Sequence, residues 1–143
     1  MRDAKGNTVS GGCYCGALRY RAALDGLVAG QCHCRPCQHV SGGGPHYFHL
    51  VSPEGFAWTS GRPRSYAHAG CTAPVTRFFC GTCGTHVLTQ RPDQSALVLK
   101  VGTLDDPSVF RPRVAICVDE AQPFHTIAAD VAQFEGIPRA KSR

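Results

Sequence analysis

From Ala17 to Leu24 the chain reads ALRYRAAL, with Leu18, Tyr20, Ala22 and Leu24 alternating against Arg19 and Arg21. A period of two puts the apolar side chains on one face of an extended backbone, so this segment predicts a half-buried strand. His46-Tyr47-Phe48-His49-Leu50-Val51 predicts a second, and Thr76 to Phe79, His86 to Gln90, Ala96 to Val101 and Val114 to Val118 are further short ones. Glycine and proline clusters separate them: Asp25-Gly26, Ser41-Gly42-Gly43-Gly44-Pro45, Ser60-Gly61-Arg62-Pro63 and Arg91-Pro92-Asp93. Helix is scarce. Pro36 to Val40 predicts one turn, and Ile127 to Phe134 a short second helix. No repeat and no long linker divides the chain. The pattern predicts a mainly β single domain over residues 1–143, with its core at about 9–139.

Composition changes this picture in one respect. The 143 residues are 43% hydrophobic and include 16 glycines, 10 prolines, one methionine and one tryptophan, which is thin for an apolar core. Nine cysteines offer a staple instead. No stretch approaches the ~18 apolar residues of a membrane span, and Met1 to Asn7 has no apolar run behind it as a secretory signal would. The expectation is a cytoplasmic protein, where thiols stay reduced and clustered cysteines bind metal rather than pair as disulfides.

The formal charge of +5 counts cysteine as neutral. Seven thiolates on two zinc ions would bring it to about +2. The basic residues are dispersed, and the nearest run is Arg139, Lys141 and Arg143, which reads as a solvated tail. Charge therefore argues against a nucleic-acid partner. A homo-oligomer is compatible with the sequence.

Seven cysteines fall into Cys13-x-Cys15, Cys32-x-Cys34-x-x-Cys37 and Cys80-x-x-Cys83. A C-x-C pair in extended backbone points both sulfurs to one side, and a C-x-x-C pair does the same around a tight turn. Glycine follows in Cys15-Gly16 and Cys83-Gly84, as suits a knuckle turning through positive φ. The two bidentate pairs make a closed four-cysteine site, which would tie the start of the chain to a hairpin about 65 residues later, although spacing by itself does not exclude other groupings. Cys32, Cys34 and Cys37 are left as three. Three protein ligands and a free position are the pattern of a catalytic zinc; in the competing reading a histidine closes the site, from His33, His39, His46, His49 or His86. His33 lies between two ligands and points away from the metal if the backbone there is extended.

A zinc ion with three thiolates carries a net charge of about −1 and is a weak activator of water. It suits a soft fourth ligand, and an incoming thiol would be held there as thiolate. Beside a small aldehyde, that sulfur can add to the carbonyl carbon and give an S-hydroxymethyl adduct, or release the aldehyde in reverse. Arg35, within the loop, and Arg77, just before Cys80, are the cations suited to an acidic thiol such as glutathione.

The arrangement resembles the glutathione-dependent formaldehyde-activating family, whose relatives include centromere-protein-V-like proteins. The matching pieces are Gly11-Gly12-Cys13-Tyr14-Cys15-Gly16-Ala17-Leu18-Arg19-Tyr20, Cys32-His33-Cys34-Arg35-Pro36-Cys37 and Phe79-Cys80-Gly81-Thr82-Cys83-Gly84-Thr85-His86. Gly102-Thr103-Leu104-Asp105-Asp106 and Gln133-Phe134-Glu135-Gly136-Ile137-Pro138 follow in order. The resemblance implies a β-tent (Mss-like) fold of layered, coiled sheets with little helix. It also implies a structural zinc on Cys13, Cys15, Cys80 and Cys83, and a catalytic zinc on Cys32, Cys34 and Cys37. The implied activity is S-(hydroxymethyl)glutathione formation, a carbon–sulfur lyase reaction. Gln38 stands where the family commonly has a basic residue.

Two rival readings use the same residues: a non-catalytic two-zinc module that binds a protein, and a thiol-redox or metal-handling protein. Outside the clusters, Cys117 reads as a small buried hydrophobe and Cys71 as a spare thiol. His46 and His49 read as partners of backbone or solvent, His86 as a donor supporting Cys80 or Cys83, and Asp105-Asp106-Pro107 as a turn.

Overall fold

A computed structural model describes residues 7–24, 28–93 and 95–138. The elements, in chain order, are β1 (Asn7–Gly12), β2 (Arg19–Leu24), β3 (Ala29–Cys32), α1 (Arg35–Ser41), β4 (His46–Val51), β5 (Phe56–Ser60) and β6 (Arg64–Tyr66). They continue with β7 (Thr76–Phe79), β8 (His86–Gln90), β9 (Leu97–Lys100), β10 (Val114–Ile116) and β11 (Ala132–Gln133). The mainly β, helix-poor fold expected from the alternation is the observed one, and α1 is the one α-helix among the described residues. Among the described residues no helix is long and apolar enough to cross a membrane. The Asp25-Gly26 turn and the basic tail at Arg139, Lys141 and Arg143 lie outside the described residues.

The described residues form two compact units. One comprises those of 1–27 and 49–109, the other those of 28–48 and 110–143. In the first, β1, β2 and β5 form an antiparallel sheet, with a register shift between Arg19 and Tyr20. The alternation of β2 is realised as read: Tyr20, Ala22 and Leu24 are buried, while Arg21 is exposed. Tyr20 stacks on Phe56 at 5.2 Å and meets Trp58 edge-on at 6.3 Å. Its hydroxyl, buried with it, pairs with Thr103 Oγ1 at 2.8 Å, so the polar tip of the ring keeps a partner. Strands β6, β7, β8 and β9 run antiparallel in sequence order, and Val87, Leu88, Leu97 and Leu99 supply buried apolar bulk.

In the second unit β10 lies between β3 and β11, parallel to both. Every residue of β3 is buried, and Phe48, Ala115, Ile116, Cys117 and Val131 join it in this core. A strand so short, covered throughout, shows no alternation to read. The helix predicted for Ile127 to Phe134 is absent. Val131 N–H closes a turn on Ala128 C=O at 3.1 Å, and Ala132–Gln133 then pairs with β10. An eight-residue helix is marginal by itself, and the open edge of β10 offers the same backbone groups a better set of partners.

Candidate metal centres

The first cluster is built by two matching knuckles. After β1, Gly16 N–H bonds to Cys13 C=O at 3.1 Å; after β7, Gly84 N–H bonds to Cys80 C=O at 2.9 Å. Gly16 and Gly84 sit at φ 82° and 78°, the left-handed region that glycine enters without steric cost. Each turn aims backbone N–H groups at sulfur, Leu18 N–H at Cys13 Sγ (3.2 Å) and Thr82 N–H at Cys80 Sγ (3.4 Å). Thr85 joins the two, since its hydroxyl accepts from Tyr14 N–H at 3.1 Å and lies 3.2 Å from Cys83 Sγ. The sulfurs of Cys13, Cys15, Cys80 and Cys83 all lie within 4.8 Å of one another. Cys13–Cys15 and Cys15–Cys80 are 3.6 and 3.8 Å apart. Tetrahedral thiolates at the usual zinc–sulfur length stand about 3.8 Å apart, so the donor set and its spacing fit zinc.

The second cluster is assembled within six positions. β3 ends at Cys32, and Cys34 is the N-cap of α1 with extended backbone (φ −63°, ψ 153°). Cys32 and Cys34 thus share a side, and His33 faces the other way. The first turn of α1, opened by Pro36, brings Cys37 back, and its N–H points at Cys34 Sγ at 3.4 Å. The three sulfurs lie within 4.8 Å of one another, and among the described residues no further His, Cys, Asp or Glu joins them.

Among the described residues no histidine nitrogen joins the three sulfurs. Both ring nitrogens of His33 are engaged elsewhere, Nε2 by Gln31 Nε2 at 3.0 Å and Nδ1 by His125 Nδ1 at 2.8 Å. His39 is exposed, His46 is buried against Phe48, and His49 Nδ1 donates to Leu50 C=O. His86 stacks on Phe79 at 5.6 Å, with Nδ1 buried and unpartnered; the support expected of it at the first cluster comes from Thr85. Arg35 is exposed, and its guanidinium donates to Gln38 Oε1. Arg77 is half-buried on β7, opposite Thr89.

Electrostatics shows why each cluster calls for a cation. Hydrogen bonds from the Cys34 and Cys37 thiols hold Cys32 far below an ordinary cysteine, and contacts with Cys32 and then Cys34 push Cys37 far up. In the four-sulfur cluster, Thr85 holds Cys83 down to about 5, while Cys15 rises to about 11 as the Ala17 N–H that lowers it is outweighed by Cys13 and burial. Sulfurs this close cannot all ionise without a positive charge among them.

Three participants were not legible beforehand. Cys117, at φ 54° just past β10, is buried with its thiol against Cys32, and burial pushes that thiol up to about 12. Gln38 is buried, donating to His33 C=O at 2.7 Å and to Glu120 C=O at 2.9 Å. His125 meets His33. None of the three has a spacing signal; β10 and the segment after it reach the cysteine loop only through the parallel pairing of Ile116 with Cys32.

A β scaffold carrying one four-sulfur and one three-sulfur cluster is the framework of a cysteine-ligated metalloprotein. The chain belongs to the glutathione-dependent formaldehyde-activating enzyme family, whose model matches residues 8–120. A Halomonas elongata protein named "Putative glutathione-dependent formaldehyde-activating enzyme" is 26% identical over 109 residues, covering 73% of this chain and 69% of its own. A crystal structure of a Rhodobacter sphaeroides protein shares the fold, with a TM-score of 0.58 and 21% identity, over 87% of this chain and 98% of that one.

Proposed function

We propose that the protein is a carbon–sulfur lyase that joins a small aldehyde to a thiol, or releases it, with formaldehyde and glutathione as the pair suggested by its family. The observation that carries this reading is the contrast between the clusters: among the described residues four sulfurs gather at the first and three at the second, the Cys117 thiol lying against Cys32 but outside that group. Cys13, Cys15, Cys80 and Cys83 would hold a structural zinc, and Cys32, Cys34 and Cys37 a second zinc. When bound, the second ion would supply a soft Lewis acid suited to a substrate thiolate at neutral pH. In the reaction the thiol S–H bond breaks, the sulfur forms a bond to the aldehyde carbon, and the carbonyl π pair moves onto oxygen. The proton released by the thiol is balanced by one taken up there to give the hydroxymethyl adduct.

The residues around the three cysteines bind and orient. His33 is turned out of the donor set, which keeps nitrogen from closing it. Arg35, one position past Cys34 and exposed, offers a guanidinium to a substrate carboxylate. Arg77 is proposed for the same class of contact and is tested separately.

The test is two-dimensional NMR exchange between glutathione, formaldehyde and their adduct, with and without protein carrying two zinc per chain. Catalysed exchange that disappears in Cys34→Ser is the expected result. Exchange no faster than in protein-free buffer, at full zinc loading, refutes the lyase reading and leaves the protein-binding module as its replacement. Arg35→Ala and Arg77→Ala, measured one at a time, are each expected to raise KM for glutathione.

A further inference from the structure

His33, fully buried between two candidate ligands, belongs to a chain of hydrogen bonds whose direction is determined at both ends. At one end, His125 Nε2 lies 2.8 Å from Gly43 C=O. A carbonyl only accepts, so that nitrogen carries the proton. Gln122 N–H points at His125 Nδ1 at 3.2 Å, and a backbone N–H only donates, so Nδ1 is a lone pair. His125 is therefore neutral and protonated on Nε2. The 2.8 Å contact between the two Nδ1 atoms then requires the proton to sit on His33 Nδ1. The other end agrees. Gln31 Nε2 reaches Thr126 C=O at 3.4 Å, which orients the amide, and its second hydrogen meets His33 Nε2 at 3.0 Å, again a lone pair. The order is Gln31 to His33 to His125 to Gly43, with one proton per link and both rings neutral.

We propose that His125 is a positioning residue for the three-cysteine metal site, acting through His33 as the acceptor that keeps the Cys32-His33-Cys34 turn in its ligating shape. His33 has its four polar groups engaged: N–H on Ile116 C=O at 3.0 Å, C=O on the Gln38 amide at 2.7 Å, and the two ring nitrogens as above. With the ring held on the side away from the cluster, extended backbone presents the sulfurs of Cys32 and Cys34 together. Without the acceptor on His125, the Nδ1–H of a fully buried ring has no partner, and the turn relaxes to find one. The same His125 ring holds the glycine-rich segment through Gly43, so loop and helix exit are tied to one side chain. The inference rests on the metal-binding part of the function proposed above and is independent of the thiol and aldehyde.

The experiment uses the full chain loaded with zinc and two readouts without turnover. Long-range ¹H–¹⁵N spectra of the imidazoles are expected to show His33 protonated on Nδ1 alone and His125 on Nε2 alone. Competition with a chromophoric zinc chelator is expected to show one of two zinc ions bound about 10- to 100-fold more weakly in His125→Phe. The other ion should be unchanged. His125→Asn returns an acceptor near the Nδ1 position but no ring, so it should bind zinc more tightly than His125→Phe. A mere packing role gives the reverse order, because phenylalanine keeps the ring and asparagine does not. The reverse order, unchanged affinity in His125→Phe, a His33 proton on Nε2, or a single zinc in the unmodified protein each overturns the proposal. If a variant fails to fold, the spectra of the unmodified protein still decide. The expected tautomers and zinc order without catalysed exchange would retain this inference and remove the lyase reading; the converse result would do the opposite.

Discussion

Two double substitutions, Cys80→Ser/Cys83→Ser and Cys34→Ser/Cys37→Ser, separate a staple from a working site. Each pair removes one buried and one half-buried sulfur, so the local cost of two hydroxyls is matched. What differs is the loop each metal closes. Cys15 and Cys80 are 65 positions apart, whereas Cys32 and Cys37 are five apart. Treating the metal as a cross-link, chain entropy gives about 4 kcal/mol at 25 °C for the long loop and about 2 kcal/mol for the short one. Against a total stability of roughly 5–15 kcal/mol, the first loss removes a large share. At about 2–4 °C per kcal/mol for a domain of this size, the melting temperature should fall by roughly 8–16 °C for Cys80/Cys83 and by roughly 4–8 °C for Cys34/Cys37. The assay is differential scanning calorimetry, with zinc measured beforehand at one equivalent in each variant. Equal falls, or a larger fall for Cys34/Cys37, would refute the division into a structural and a working cluster.

Three further outcomes follow from geometry and charge. A Cβ on Gly61, at φ 77°, would stand 2.1 Å from Ala17 C=O, whereas one on Gly84, at φ 78°, meets nothing within 4 Å. Gly84→Ala should therefore cost about 1–2 kcal/mol for the left-handed backbone alone, and Gly61→Ala a further 1–3 kcal/mol or so for the clash; similar urea midpoints in the two variants would contradict this. Burial first, against the helping bond from Thr103, raises the Tyr20 phenol to about 12, so one late step in an ultraviolet titration should vanish in Tyr20→Phe. Because that pKa exceeds the unfolded value of about 10, the associated stability is present below pH 10 and is lost as pH rises towards 12. Burial, with Lys100 and Arg77 nearby, lowers the His86 pKa. The unfolded chain then takes up a proton below about pH 6.5 that the folded chain resists, so stability should fall with pH less steeply in His86→Phe; parallel urea midpoints from pH 7.5 down to about 5.5 would exclude this.

Local pattern went far in this chain because so much of its chemistry is local. The strands at His46–Val51, Thr76–Phe79 and His86–Gln90 are found with the limits read from alternation and turn residues. The turn of helix read at Pro36 to Val40 is found as Arg35–Ser41, one residue longer at each end and capped by Cys34. Strands β1, β3, β5, β6 and β11 lie outside the segments that alternation predicts. Buried β3 has no alternation, and β11 consists of two exposed residues made a strand only by the edge of β10. Cysteine spacing likewise specifies which sulfurs can converge, since C-x-C and C-x-x-C are statements about a few backbone angles.

The sequence offered the grouping of seven cysteines into four and three as one the spacing allows without excluding others, and the orientation of His33 away from its neighbours as the consequence of an extended backbone. Tertiary structure alone decided what meets that ring and that loop. Cys117 lies against Cys32, Gln38 is buried under Glu120, and His125 closes on His33 from 92 positions away. The physical reason is the parallel register of β10 on β3: pairing Ile116 with Cys32 delivers residues 117–126 to the cysteine loop, and parallel pairing over such a distance leaves no local periodicity to read.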